Sequence, residues 1–217
     1  MKFRSPVTRV ILIGVFIILI IVCETGAYLA TTPRATEHFF QFYLLGRNGN
    51  MTDYYPQGDP NLRVGSNVEW TVGVQNYMGS VQLVEIRVKL ANETISPPDD
   101  VNYAPSSARE LMSFNQFLLD NGTWQFPFIW SITNASTISG STRILTIRIN
   151  NQTYQTSDWS ANNGYNFRLI FELWTWQAES NAFVFDFGSN GGHRTAWLEV
   201  WFNATNPTPL PPPPPQE

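Results

Sequence analysis

Two different rhythms divide the chain. Residues 10–23 read VILIGVFIILIIVC, with no polar side chain on any face. From residue 38 onward the chain breaks into short segments in which apolar and polar residues alternate, separated by Gly, Pro, Asn and Asp. Alternation with period two is the mark of a strand with one buried face. Val68–Gln75 sets Val68, Trp70, Val72 and Val74 against Glu69, Thr71 and Gln75. Val84–Leu90 sets Val84, Ile86, Val88 and Leu90 against Glu85, Arg87 and Lys89, which reads as an antiparallel strand whose charged face is solvated.

Further strands are expected at His38–Leu45, at Thr123–Thr133, at Arg143–Asn150 and at Thr195–Phe202. Phe167–Trp176 and Ala182–Phe187 are expected to pair as a hairpin, with a glycine-rich turn at Gly188–Gly192 after them. Residues 93–110 carry Pro97-Pro98-Asp99-Asp100 and Pro105 and read as a long loop. Ser107 and Glu110 have capping-box spacing, with Leu111, Phe114 and Leu118 at helical intervals. The preferred reading there is a strand near Phe114–Leu119, turning at Asp120-Asn121-Gly122. Eight to ten short strands predict an all-β, immunoglobulin-like antiparallel β-sandwich.

The apolar run changes the topology expected of this sandwich. Val10–Leu29 supplies the roughly 20 residues a helix needs to cross the hydrocarbon. Lys2, Arg4 and Arg9 precede it and every acid follows it, so the N-terminus is expected inside the cell and the β domain outside. A cleaved signal peptide is the competing reading, with Thr25-Gly26-Ala27 a loose match to a cleavage site. The expected organisation is therefore a basic cytoplasmic N-terminus (1–9), a transmembrane signal-anchor helix (10–30), a linker (31–37), an extracytoplasmic β-sandwich (38–206) and a proline-rich tail (207–217). The tail, with Pro211–Pro215 in a row, suits an extended polyproline II segment, solvated or docked on an aromatic groove.

Composition sharpens this picture. Charged residues make up only 14 % of the chain, so neutral Asn, Thr and Ser must cover the surface. Of 13 Lys and Arg, three precede the apolar run, leaving ten against 17 acids in the rest. An acidic domain without a Lys/Arg cluster excludes nucleic acid as a partner. The single cysteine, Cys23, lies in the apolar run, so no disulfide within the chain is available and the β domain rests on its core.

The clearest chemical feature is glycosylation. Asn50, Asn92, Asn121, Asn134, Asn151 and Asn203 each begin an N-x-[S/T] sequon, and covalent N-glycans are expected at several of them. Trp174, Trp176, Trp197 and Trp201 gather in the C-terminal strands and form a candidate interaction face, for a sugar or a protein partner. Trp197 and Trp201 share a face with Glu199, opposite Leu198 and Val200. No metal, cofactor or catalytic residue is assigned. His38 and His193 stand far apart in sequence, and Asp99-Asp100 with Asp53 or Asp59 read as solvated loop acids rather than a calcium site. The nucleophile elbow, the zinc helix motif and the phosphate loop are all missing from the sequence.

The residues Phe42-Tyr43-Leu44-Leu45-Gly46-Arg47-Asn48-Gly49, Asp53-Tyr54-Tyr55-Pro56, Leu62-Arg63-Val64-Gly65 and Trp70–Asn76 resemble the pattern of an archaeal family of predicted membrane proteins of unknown function. Two later stretches, Asn121–Phe128 and His193–Val200, are also similar. Where that family often continues with His-Glu after its asparagine, this chain has Tyr77-Met78 after Asn76. The resemblance implies an extracytoplasmic, immunoglobulin-like β domain held at a membrane and implies no activity. The function expected is a membrane-anchored, N-glycosylated structural or interaction protein of the cell envelope, without catalysis, engaging protein partners or copies of itself. A carbohydrate-binding or adhesive module using the Trp face, and an accessory ectodomain of a membrane complex, are the alternatives.

Overall fold

The computed structural model describes residues 13–24, 37–156, 160–188 and 192–205. Two compact units divide the chain, residues 1–37 and 38–217. In the first, residues 13–24 are helical. Among the described residues no helix is long and apolar enough to cross a membrane. Residues 10–12 and 25–30 of the expected span lie outside the described residues, as do the tail 207–217 and part of the turn at 188–192.

The second unit is a sandwich of two six-stranded sheets. The first holds β1 (Phe39–Leu45), β3 (Val68–Tyr77), β6 (Thr123–Ile138), β7 (Ser141–Ile149) and β8 (Gln152–Gln155) in that order, with β9 (Ser160–Asn162) beside β7. The second runs β2 (Asn61–Arg63), β12 (Trp197–Thr205), β10 (Phe167–Gln177), β4 (Gln82–Asn92) and β5 (Glu110–Leu118), with β11 (Ala182–Val184) beside β10. The chain begins in the first sheet with β1, visits the second for β2, returns for β3, crosses for β4 and β5, returns for β6 to β9 and crosses again for β10 to β12. One detail departs from the expected antiparallel arrangement. β2 pairs with β12 in parallel, so the second sheet is mixed. β2, β8 and β9 are three or four residues long, too short to show a period in sequence. Residues 110–118 form strand β5, so the helical spacing there is incidental.

The core lies between the sheets. Val68, Trp70, Val72 and Val74 of β3 face Val84, Ile86, Val88 and Leu90 of β4, and all eight are buried. Trp70 sits among Trp130, Phe128 and Phe171, with ring centroids 5.3, 6.1 and 6.2 Å away. Such aromatic clusters combine large buried area with favourable ring geometry. In β7, Ile144 and Ile147 are three residues apart yet both buried. Strict alternation would put them on opposite faces. The pairing with β6 shifts on either side of Asn134 and leaves Leu145 of β7 as an extra residue, which brings both inward.

Gly73 is required by a neighbour rather than by its own backbone. It pairs with Tyr43, and a Cβ at Gly73 would fall on the Tyr43 ring. That ring ends in a hydroxyl that accepts a hydrogen bond from Gln125 Nε2 at 2.6 Å. Gly73→Ala is expected to push the ring aside and destabilise the fold by about 1–3 kcal/mol. Thermal melting checks this, and an unchanged midpoint would show that the ring gives way freely.

Candidate functional site

Three regions of the β domain carry chemistry: the outer face of the second sheet and the two ends of the sandwich. On the outer face, pairing Trp201 with Arg168, Glu199 with Ile170 and Trp197 with Glu172 puts these residues together. Lys89 pairs with Ile170, Arg87 with Glu172 and Glu85 with Trp174 on the same face. Sequence reading expects the charges of β4 to be solvated, and the structure corrects this. Glu85 and Lys89 are buried, Glu172 is fully buried at 0 %, and Arg87 is half-buried.

The cause is the loop at residues 93–109, which folds back over this face. Ser106 N–H donates to Glu172 Oε1 at 2.7 Å, and Lys89 Nζ donates to Ser106 O at 2.7 Å. Lys89 Nζ also lies 2.9 Å from Glu172 Oε2, and Trp174 Nε1 donates to that oxygen at 3.1 Å. Arg168 donates to the carbonyl of Ile95 and to Glu199 Oε2, the latter at 2.6 Å. Beneath the loop, Ala91, Ala108 and Ile170 form a small second core with Ile95. The far side is pinned by Asp100 Oδ1, which accepts from Thr195 Oγ1 at 2.7 Å and from Trp197 Nε1 at 2.8 Å. Tyr103 stacks on His193 at 4.3 Å, and His193 Nδ1 meets Asp186 Oδ2 at 2.5 Å. Burial pushes the Asp186 carboxyl up, but His193 and the N–H groups of Arg194 and Gly188 outweigh it and hold it below its ordinary value.

All four tryptophans of the expected interaction face lie on this surface, but in different roles. Trp174 is covered by the Arg87 guanidinium, 3.7 Å from its ring centre. Trp197 is tied to Asp100. Trp176 and Trp201 remain 37 % and 39 % exposed, at opposite ends of the sheet. They form no shared platform. Arg168 lies over Trp201 at 4.5 Å.

The sandwich end remote from His38 holds an open polar cleft of about 460 Å³, built by the loop that follows β1 and by the start of β3. Arg47, Asn48, Asp53, Tyr55, Gln57 and Glu69 are among its lining residues. Asn48 Nδ2 donates to Asp53 Oδ2 at 2.8 Å and Asn50 Nδ2 donates to the same oxygen at 3.1 Å. These bonds hold the Asp53 carboxyl below its ordinary value. Arg47 Nε stands 3.4 Å from Glu69 Oε2. Trp70 Nε1 donates to Tyr54 O at 2.5 Å, and the Tyr55 hydroxyl donates to the carbonyl of Trp201. Burial raises the Tyr55 phenol far above its ordinary value, so it stays a donor. The loop is thus anchored to both sheets. Alternation gives no sign of this cleft; Arg47, Asn48 and Asp53–Pro56 of its lining belong to the stretches of the family resemblance, whereas Gln57, Gly58, Asn67 and Glu69 do not.

Among solved structures, the chain is similar to an archaeal CARDB domain. That domain, from Pyrococcus furiosus, was determined in complex with di-metal ions; identity is 10 %, coverage 81 % of this chain and 100 % of that one, and the TM-score 0.39. The sporulation control protein Spo0M of Bacillus subtilis follows at 10 % identity, 76 % of this chain, 49 % of that one and a TM-score of 0.34. A β-glucosidase from Listeria innocua in complex with glucose has 8 % identity, 79 % of this chain, 16 % of that one and a TM-score of 0.32. The chain therefore spans about half of Spo0M and a small part of the β-glucosidase. No protein-family model matches the chain, and no curated protein matches it. The family resemblance rests on its motifs alone, and function has to be read from this chain's own residues.

The sequons differ in setting. Asn50, Asn121, Asn134 and Asn151 are exposed, Asn203 is half-buried and Asn92 is buried. Asn92 Nδ2 donates to Ser160 O at 2.7 Å, and Asn203 Nδ2 donates to Asn61 Oδ1 at 2.8 Å. Asn150 and Asn151 form the β7–β8 turn with positive φ at both positions, the geometry of a two-residue hairpin. The four loop acids are engaged in separate turns: Asp53 as above, Asp59 with Asn61, Asp99 with Val101 and Asn102, and Asp100 with Thr195 and Trp197. Among the described residues, no group of three His, Cys, Asp or Glu side chains is placed to hold a metal ion.

Proposed function

We propose that the chain is a membrane-anchored, outward-facing binding module of the cell envelope, carrying N-glycans and doing no chemistry of its own. The polar cleft beside Arg47 is the observation that carries this reading. It joins one cation, two carboxylates, three amides and two tyrosines on the anchored loop after β1 and the start of β3. That mixture suits a hydrogen-bonding partner surface, such as an exposed polar segment of a neighbouring envelope protein. The Trp-face carbohydrate reading has less support, because its two exposed tryptophans stand apart while the other two are tied down.

The test uses cells that express the full chain. Carbonate extraction should leave it in the membrane, and protease added to intact cells should remove the β domain. Glycopeptide mapping should find glycans at Asn134 and Asn151 and none at Asn92, whose amide is enclosed. A photocrosslinker in place of Asn48 should capture one discrete partner, and one in place of Val101, exposed on the loop over the second sheet, should not. A β domain resistant to external protease would remove the outward-facing reading. Identical capture from both positions would remove the cleft.

A further inference from the structure

Large apolar side chains stand exposed in a group at the His38 end of the sandwich. Phe117 and Leu119, at the close of β5, are 67 % and 68 % exposed, and Val81, just before β4, is 57 % exposed. Leu83 pairs with Phe117, and the same register carried one step outward on that face sets Val81 beside Leu119. Trp176, paired with Phe183, lies on that face as well, one step beyond the Trp174–Glu85 pair and so next to Leu83. At the start of β1, Phe39 stacks on Tyr77, ring centroids 4.8 Å apart.

The turns that carry Val81 and Leu119 are tied together by hydrogen bonds. Gly79 N–H donates to Asp120 Oδ1 at 2.9 Å, joining the two turns, and Asn121 Nδ2 donates to Asp120 Oδ2 at 3.0 Å. The carbonyls of Ser80, Leu118 and Leu119 accept from the buried Asn76 amide at 2.8, 3.1 and 3.1 Å. Polar groups already paired inside the protein cost little more when water is removed from around them. The end therefore carries an apolar strip of Val81, Phe117, Leu119 and Trp176, flanked by exposed polar turns at Asp120-Asn121 and Glu179-Ser180 that are suited to the headgroups.

The chain itself indicates the occupant. It enters the β domain at His38, after the apolar run 10–23 and the linker 31–37. Seven extended residues reach roughly 25 Å, so an anchored chain keeps this end close to the lipid surface. Aromatic and aliphatic side chains at turn tips are the groups that settle at a membrane interface, the aliphatics below the headgroups and Trp and Tyr among them. We infer that this end is bedded in the outer surface of the bilayer, with Val81, Phe117 and Leu119 below the headgroups and Trp176 and Tyr77 at their level. The inference rests on the membrane-anchored reading given above.

The experiment places an environment-sensitive fluorophore on the full chain, with Cys23→Ser to remove the native thiol. Leu119→Cys carries the probe at the His38 end. Ile138→Cys, exposed at the opposite end, is the control. Each labelled chain is reconstituted into phosphatidylcholine vesicles, with circular dichroism to confirm folding and carbonate extraction to confirm anchoring. The expected result is blue-shifted emission at position 119 that brominated lipid largely quenches, with neither effect at position 138. An anchored chain whose position-119 probe behaves like the control overturns the inference and leaves the anchor standing. A probe shielded from water but not quenched by lipid also overturns it, because protein then covers the end. Release by carbonate removes the anchor and the inference together. A glycan on Asn121, two residues from Leu119, would hold the end off the bilayer and overturn it independently.

Discussion

Lys89→Met is expected to destabilise the β domain by about 3–5 kcal/mol, the range seen when one partner of a buried ion pair is removed. The fully buried Glu172 carboxylate would keep only Ser106 N–H and Trp174 Nε1 as donors, with no cation beside it. Ser106 O would lose its donor too, so the loop at 93–109 would lose its central attachment. Urea unfolding measures the first effect, and limited proteolysis within the loop measures the second. The double variant Lys89→Met/Glu172→Met should cost less than the sum of the two single changes, because it removes the orphaned charge together with its partner. A single variant within about 1 kcal/mol of the parent would mean that water reaches Glu172 and that the loop is no real cover.

Asn76→Ala is expected to cost about 3 kcal/mol, and Asn76→Asp more. Asn76 is fully buried. Its Nδ2 shares two hydrogens among the carbonyls of Ser80, Leu118 and Leu119, and its Oδ1 accepts from Met78 N–H at 2.8 Å. Truncation strands the Leu118 carbonyl away from water and leaves the partly buried Ser80, Leu119 and Met78 groups short of a partner, and each buried orphan costs about 1–3 kcal/mol. Aspartate is worse because it turns an acceptor toward three carbonyl oxygens. In a domain of this size, each kcal/mol lowers the melting midpoint by about 2–4 °C, so calorimetry resolves both variants and their order. An aspartate variant as stable as the parent would show that the turns are held together by other contacts. This residue closes the Trp70–Asn76 stretch of the family resemblance, which gives that position a structural role.

The legible part of the fold was the part governed by local alternation. β3 and β4 each bury every second side chain between the sheets, and their sequences show it. The outer face of β4 was misread for the same reason. Alternation reports that Glu85, Arg87 and Lys89 share a face, but it carries no information about a loop returning over that face. Ile144 and Ile147 were likewise ambiguous, because an extra residue at Leu145, set by the pairing with β6, decides which way they point. The tryptophans show the same division. Their common face follows from spacing, whereas their separation into tied and exposed members depends on Arg87 and Asp100, which approach from other segments. Part of the polar cleft lay within recognisable motif residues, yet only folding brings Arg47 and Asp53 together with Glu69.

By itself, the sequence determined that this chain has an apolar segment followed by an all-β domain, since hydrophobic periodicity and turn residues act over a few neighbours. It also determined which asparagines are sequons and that no disulfide within the chain is available to the fold. Only the tertiary structure decided that the second sheet is mixed, that Lys89 and Glu172 are buried partners, that Asn92 is enclosed and that exposed apolar groups collect where the chain enters the sandwich. The reason is physical: burial, pairing and exposure are set by contacts between residues distant in sequence, and no local pattern encodes what will cover a given face.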